Sequence, residues 1–258
     1  MSESKELIIS SSDQLFQPTT RRRFLGMLGV AGSVVLLPSV FAACGSDDIT
    51  DPTLNADNYR LNLSTDTGIL NYAYALEQLE AAYYSTAITS AGFAALSAAE
   101  QEVLGDLQRH EVIHREFFKT VLGSAAIPAI AFNTATVGTL TANRDVLLRT
   151  SQLLEDTGVS AYNGAGKYLT SAANLLVAGK IVSVEARHAA AIRDIRDGAN
   201  GRLFAGDDVV NAQGLDVKAE PGTVLTSVGQ LNVLVSPVSI GTGPAGTATT
   251  DFKAPTPA

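Results

Sequence analysis

The sequence predicts an all-α fold: a four-helix bundle with one long crossover connection, followed by an irregular C-terminal tail with short strands. Apolar residues recur at helical spacing in four segments between residues 64 and 198. The connections within the first and second pairs of segments are short, whereas residues 124–140 form a long connection between the pairs. Two helix pairs joined in this way make a bundle with a single crossover.

Capping signals delimit the first pair of predicted helices. The first helix runs from about Asp66 to Thr89, with Asp66 as its N-cap. The second begins at Ser97, because Ser97 and Glu100 have the spacing of a capping box. It ends before Gly123, a residue that suits a helix C-terminus.

The second pair of predicted helices completes the bundle. The third helix covers about residues 141–169 and the fourth about residues 173–197, where Gly198 ends it. Arg187 and Arg193 are expected in an exposed stripe of the fourth helix, and steering of anions by these two residues is the alternative.

The segments that flank the bundle differ from it in composition. Residues 45–63 are polar and rich in turn-forming residues, which indicates a linker. Residues 199–258 are rich in Gly, Val, Thr, Ala and Pro, and short extended segments are expected around residues 224–235. Three alternatives stay open for this C-terminal extension: it wraps the bundle, forms a small hairpin, or mediates contacts.

Residues 1–44 have the pattern of a targeting segment. Three arginines, Phe and Leu stand at positions 21–25, and an apolar run rich in small residues follows and ends at Cys44. The arginine run resembles a twin-arginine (Tat) export signal, and the residues before Cys44 resemble a lipoprotein signal. We therefore expect export to the periplasm or to the bacterial cell envelope, with a lipid anchor at Cys44. The alternatives are an ordinary cleavage near Ala42 or Ala43 and an uncleaved membrane anchor.

The cysteine count and the net charge argue against a disulfide-stabilised fold and against a nucleic-acid-binding protein. Cys44 is the only cysteine, so no intramolecular disulfide stabilises the fold. Removing residues 1–43 takes away four of 18 Lys and Arg and three of 26 Asp and Glu, which leaves a net charge of −9. This negative charge argues against a nucleic-acid partner and is compatible with attraction of cations.

Two of the three histidines follow a Glu by three residues, each on a predicted helix. The pairs are Glu111 with His114 in the second helix and Glu185 with His188 in the fourth. Residues three apart lie on one helix face, so each pair presents a carboxylate and an imidazole together. His110, next to Glu111, points about 100° away from it and is expected to be a surface or packing residue.

The first and third helices each offer a further inward-facing Glu. In the third helix it is Glu155, and in the first it is Glu77 or Glu80. Glu77 and Glu155 are each followed seven residues later by a tyrosine, Tyr84 and Tyr162, at nearly two helical turns. This repeat favours Glu77 as the ligand and leaves Glu80 behind the ligands or in solvent.

Four carboxylates and two imidazoles that meet in a core predict a site for two divalent metal ions. Buried carboxylates without cations are too costly, and two doubly charged ions balance four of them. Oxygen-rich ligation with imidazole suits Fe or Mn, and a site without thiolate ligands is not typical of structural zinc. The predicted ligands are Glu77, Glu111, His114, Glu155, Glu185 and His188.

With these motifs in this order, the chain resembles the ferritin-like superfamily over about residues 64–200. The segment of residues 69–84 looks closest to exported ferritin-like domain proteins related to plant desiccation-related proteins. Members of the superfamily bind two Fe or Mn ions and react with O2 or peroxide. The resemblance therefore implies two Fe ions (or Mn) on the same six ligands, with Tyr84 and Tyr162 supporting them from behind.

The first functional hypothesis is an oxidoreductase that oxidises Fe(II) or removes peroxide or O2 in the cell envelope. The second is a metal-binding, stress-protective envelope protein without turnover, and the third is a purely structural bundle. A homodimer stays an open alternative. An iron-storage cage is not expected, because a lipid anchor and a long C-terminal extension do not suit a closed shell.

Overall fold

The structure is a computed structural model that describes residues 59–198, 200–236 and 238–243. The predicted targeting segment with Cys44, residues 45–58 of the predicted linker and residues 244–258 lie outside the described residues. Across the described ranges, no helix combines the length and apolar character that crossing a membrane requires.

Four long helices dominate the structure, which confirms the predicted all-α bundle. Helices α1 and α3 pack against each other, as do α5 and α6, and the long connection lies between α3 and α5. The elements are β1 (Tyr59–Asn62), α1 (Asp66–Ala87), α2 (Ala91–Ala94), α3 (Ala98–Leu122), α4 (Thr134–Thr139), α5 (Arg144–Ala165), α6 (Ala172–Arg196), α7 (Pro221–Gln230) and β2 (Val238–Thr242).

The N-termini of the first two long helices are fixed by side-chain caps. Helix α3 begins with the predicted capping box of Ser97 and Glu100. Helix α1 begins one residue differently, because Thr65 is the N-cap and accepts a hydrogen bond from the Gly68 N–H. Asp66 instead accepts hydrogen bonds from the loop before α6, including the Thr170 N–H at 2.8 Å. The predicted cap residue therefore ties α1 to α6.

Polar side chains of α1 hold the crossover connection against the bundle. The Asn71 amide donates to the Ala125 carbonyl at 2.8 Å and accepts from the Ile127 N–H at 2.7 Å. Gln78 accepts from the Ile130 N–H at 2.8 Å. These buried amides replace water as partners of the crossover backbone, which has no helix or sheet partner there.

The C-terminal extension wraps the bundle, and its main element is a helix. The prediction of extended segments around residues 224–235 is wrong for residues 224–230, which belong to α7. Pro221 suits the first helical turn, and Val224, Leu225 and Val228 are buried along one face. A helical stripe of only three apolar positions is too short to distinguish from a strand by its period alone.

The two strands bring the beginning and the end of the described chain together. Strand β1 pairs with β2 in parallel, with Tyr59 beside Val238 and Leu61 beside Ile240. Leu61 and Leu63 are buried, so residues 59–63, within the predicted linker, belong to the folded unit. Parallel pairing requires a long connection between the strands, and the whole bundle supplies it.

Arg193, near the end of α6, links the bundle to the C-terminal extension. Its guanidinium donates to both carboxylate oxygens of Asp156 at 2.7 Å, and to those of Asp208 at 3.1 and 2.7 Å. The predicted exposed stripe is wrong for Arg193, which is 2% exposed, although Arg187 is exposed. The reason is that Asp208 comes from a segment whose position the sequence pattern does not show.

Gly164 lets the C-terminal extension approach α5, and Gly179 in α6 provides a matched control. A Cβ at position 164 would lie 1.8 Å from the Ala219 carbonyl oxygen, whereas one at position 179 would meet no atom within 4 Å. We expect Gly164→Ala to lower the free energy of unfolding by about 1–3 kcal/mol, because the Ala219 backbone must move. Gly179→Ala should raise it by about 0.5–1 kcal/mol through helix propensity. Urea unfolding measures both, and a stabilised Gly164→Ala protein would contradict the described packing.

Candidate metal centre

The structure brings all six predicted ligands into one buried cluster in the middle of the bundle. Each of the four long helices contributes: Glu77 from α1, the Glu111 and His114 pair from α3, Glu155 from α5, and the Glu185 and His188 pair from α6. All four carboxylates are fully buried, and the two imidazoles are 9% and 3% exposed. The cluster therefore lies in a region from which water is excluded.

The ligand atoms form two groups that share two carboxylates. One group contains Glu77 and His114, the other contains Glu155 and His188, and both contain Glu111 and Glu185. Within each group the ligand atoms lie within 4.8 Å of one another. The arrangement thus consists of two overlapping donor groups that share the carboxylates of the Glu-x-x-His motifs, and each group could hold a metal ion.

The two groups are related by an approximate two-fold axis, which is visible in the distances from each histidine Nδ1. That of His114 lies 2.8 Å from Glu185, 3.4 Å from Glu77 and 3.6 Å from Glu111. That of His188 lies 2.8 Å from Glu111, 3.4 Å from Glu155 and 3.5 Å from Glu185. Each imidazole is therefore closest to the carboxylate of the other motif.

Two buried tyrosines support the outer carboxylates across the bundle. The Tyr84 hydroxyl of α1 donates to Glu155 Oε1 on α5 at 2.6 Å, and the Tyr162 hydroxyl of α5 donates to Glu77 Oε1 on α1. The sequence repeat placed each tyrosine on the helix face of its own Glu, but each one bonds the Glu of the opposite helix. Each carboxylate thereby keeps one oxygen held and one oxygen directed at the cluster.

The remaining ligand atoms have no hydrogen-bond partner. Eight buried nitrogen and oxygen atoms of the six residues form no hydrogen bond. This holds although Nδ1 of each histidine lies 2.8 Å from a carboxylate oxygen. The directions of these close approaches do not suit hydrogen bonds. Buried polar atoms are almost always paired, so eight unpaired ones at a single place require another explanation. Oxygen and imidazole donors that converge in this way fit the binding of metal ions.

Protons balance part of this charge when no cation is bound. Burial, together with Glu185 and Glu111, raises the pKa of Glu77 well above its ordinary value, and burial raises the pKa of Glu155 to about 8. Burial lowers the pKa of His114 and His188, but the surrounding carboxylates outweigh it and raise each pKa to about 12. The site is therefore built for positive charge, which protons or metal ions can supply.

Glu80 is a fifth carboxylate buried next to the cluster. It is 3% exposed, so of the two positions predicted for it, behind the ligands or in solvent, the solvent position is wrong. It belongs to neither ligand group, and burial raises its pKa well above its ordinary value. Its Oε1 lies 3.0 Å from where a Cβ of Gly158 would stand, so the missing side chain at Gly158 makes room for it.

His110 is the residue at the centre that sequence reasoning missed. It is exposed, as predicted, but its ring lies edge to edge with that of His188, with 2.9 Å between its Nδ1 and Nε2 of His188 and 10° between the ring planes. The spacing of four residues between His110 and His114 was the available signal, because such residues share a helix face. The prediction relied instead on the spacing of three residues between Glu111 and His114, which does not include His110.

Two buried tyrosines of α1 allow the contribution of the ligand-supporting hydrogen bonds to be measured. The Tyr84 hydroxyl bonds Glu155, whereas the buried Tyr72 hydroxyl has no partner. We expect Tyr84→Phe to lower the free energy of unfolding of the metal-free protein by about 1–3 kcal/mol, because a buried Glu155 oxygen loses its donor. Tyr72→Phe should leave stability unchanged or raise it. Equal effects of the two changes in urea unfolding would contradict the assigned role of Tyr84.

The family of the chain follows from a comparison with known families. Comparison with curated proteins gives no match to this chain. The profile described as the ferritin-like domain matches residues 65–197, which is just over half of the 258 residues. The matched segment contains all six residues of the cluster and both tyrosines that support it. The chain belongs to the ferritin-like domain family.

Proposed function

We propose that this chain is an exported ferritin-like protein that holds two Fe or Mn ions and reacts with O2, peroxide or Fe(II) in the cell envelope. The observation that supports the proposal best is the convergence of eight unpartnered buried donor atoms on two positions with shared carboxylates. Redox-active ions at these positions would supply electrons and open coordination positions, whereas the side chains supply binding, orientation and exclusion of water.

Charge balance supports two doubly charged ions rather than one. A single ion would leave two of the four fully buried carboxylates without compensation, at a cost that burial makes large. Two ions neutralise all four and leave the imidazoles neutral, which is the form that binds metals. Glu80 belongs to neither donor group, and burial raises its pKa well above its ordinary value.

The closed surroundings of the cluster support small reactants. None of the four ligand carboxylates is exposed, so a bulky organic substrate has no access to them. An apolar cavity of about 20 Å3 lies beside Tyr162 and is lined also by Leu76 and Ala161. Empty cavities lined by apolar side chains stay dry and accept apolar molecules. This environment suits O2.

Metal stoichiometry of isosteric variants tests the centre. By elemental analysis, we expect about two Fe or Mn ions per wild-type chain after loading. Glu111→Gln or Glu185→Gln should lose both ions, because both groups contain these residues, whereas Glu77→Gln or Glu155→Gln should lose one. Glu80→Gln is the matched control, a buried carboxylate outside both groups, and should keep both. A wild-type chain without stoichiometric metal would sink the proposal.

Turnover distinguishes the oxidoreductase from the alternative without catalysis. The loaded protein should consume O2 or peroxide, or oxidise Fe(II), faster than the same concentration of free metal. The Glu111→Gln protein is the control for metal bound outside the centre. Two bound ions without turnover would favour a metal-binding, stress-protective envelope protein instead, and unchanged thermal stability with and without metal would favour a structural bundle.

The export part of the proposal rests on residues 1–44 and is tested separately. We expect the tagged full-length chain to reach the membrane fraction of the cell envelope, because the arginine run and Cys44 resemble export and lipidation signals. Arg22→Lys/Arg23→Lys should retain it in the cytoplasm. Cys44→Ser should release it from the membrane fraction while export continues. Unchanged fractionation of both variants would contradict the assignment.

A further inference from the structure

His110 contacts the centre from outside, across the gap between α3 and α6. Its Nδ1 lies 2.9 Å from Nε2 of His188, and the two rings are nearly parallel. His188 is almost fully buried, whereas His110 is exposed. This imidazole pair is therefore a direct connection between a candidate ligand and the surface.

The direction of this hydrogen bond follows from what a metal ligand requires. Nδ1 of His188 faces the carboxylates, 2.8 Å from Glu111 Oε1, so it is the nitrogen that would bind an ion. A metal-binding nitrogen must be free of its proton, and a neutral imidazole then carries its proton on Nε2. Nε2 of His188 is thus the donor, and Nδ1 of His110 is the acceptor.

The other half of the centre has no equivalent contact. Four residues before His114 stands His110, but four residues before His188 stands Val184, whose hydrocarbon side chain accepts no hydrogen bond. In the described part of the chain, Nε2 of His114 forms no hydrogen bond with any residue. The six candidate ligands therefore follow an approximate two-fold symmetry, but the residues that contact the two histidines from outside do not.

We propose that His110 is a positioning residue, which fixes the ring and the tautomer of His188 and makes the two metal positions unequal. The inference rests on the proposed dinuclear centre. A partner on the second nitrogen of a histidine ligand orients the ring and makes its metal-binding nitrogen more basic, and its loss typically weakens metal binding by about 10- to 100-fold. The ion at His188 is thus the more tightly held one.

Two replacements of His110 separate the hydrogen bond from the packing of a flat ring at this position. His110→Phe keeps a flat ring but has no acceptor, whereas His110→Asn places a carbonyl oxygen close to the position of Nδ1. Calorimetric titration of the purified protein with Mn²⁺ should give two unequal binding constants for the wild type. In His110→Phe the tighter constant should weaken by about 10- to 100-fold, and in His110→Asn it should recover to within about threefold of wild type. Val184→Ala is the control and should leave both constants unchanged.

A spectroscopic measurement tests the tautomer without any activity assay. In the protein loaded with Zn²⁺ and labelled with ¹⁵N-histidine, we expect the Nε2 proton of His188 to be visible and slow to exchange. It should exchange quickly in His110→Phe and slowly in His110→Asn. A proton on Nδ1 of His188, or equal Mn²⁺ binding by wild type and His110→Phe, would overturn the role of His110 alone. Absence of stoichiometric metal in the wild type would overturn the proposed centre as well.

Discussion

The burial of four carboxylates at one point of a helical bundle is the constraint on which the rest of this structure depends. Such a cluster is tolerated only if positive charge accompanies it, and two imidazoles, bound protons or metal ions are the available sources. The four long helices must each deliver one acidic group to the same level of the bundle. Glu77, Glu111, Glu155 and Glu185 do so with no exposed surface, which makes the centre dry and electrostatically sensitive. The sequence must therefore place these four Glu residues, and the packing must hold the four helices, so that positive charge can balance the carboxylates.

The approximate two-fold symmetry of the centre explains why its parts fit together. Each half of the bundle supplies a helix with Glu and Tyr and a helix with Glu and His, and contacts run mainly between the halves. The symmetry fails at two places. Glu80 lies against Gly158, and His110 forms a hydrogen bond with His188 that has no counterpart at His114. Both departures lie just outside the six residues of the cluster, where they distinguish two otherwise equivalent donor groups without changing the donors.

The layer around the bundle stabilises the positions of the helices that carry the ligands. Asn71 and Gln78 bond the crossover connection, and Tyr72, Tyr83 and Tyr84 fill the space between α1 and its neighbours. The C-terminal extension closes over α5 at Gly164 and pairs its last strand with the first one, β1. A chain without a disulfide in its described part depends on such packing, because displacement of one helix by a turn would separate the ligand groups.

The sequence by itself determined the four helices, the capping box at Ser97, and the six residues that the structure brings together. Helical periodicity and the spacing of Glu and His are local properties, so they can be read from the sequence before the fold is known. Only the tertiary structure decided that Tyr84 bonds Glu155 rather than its own neighbour, that His110 reaches His188, and that residues 221–230 form a helix. These features join residues far apart in the chain, and their partners depend on how the helices pack rather than on any repeat along one of them.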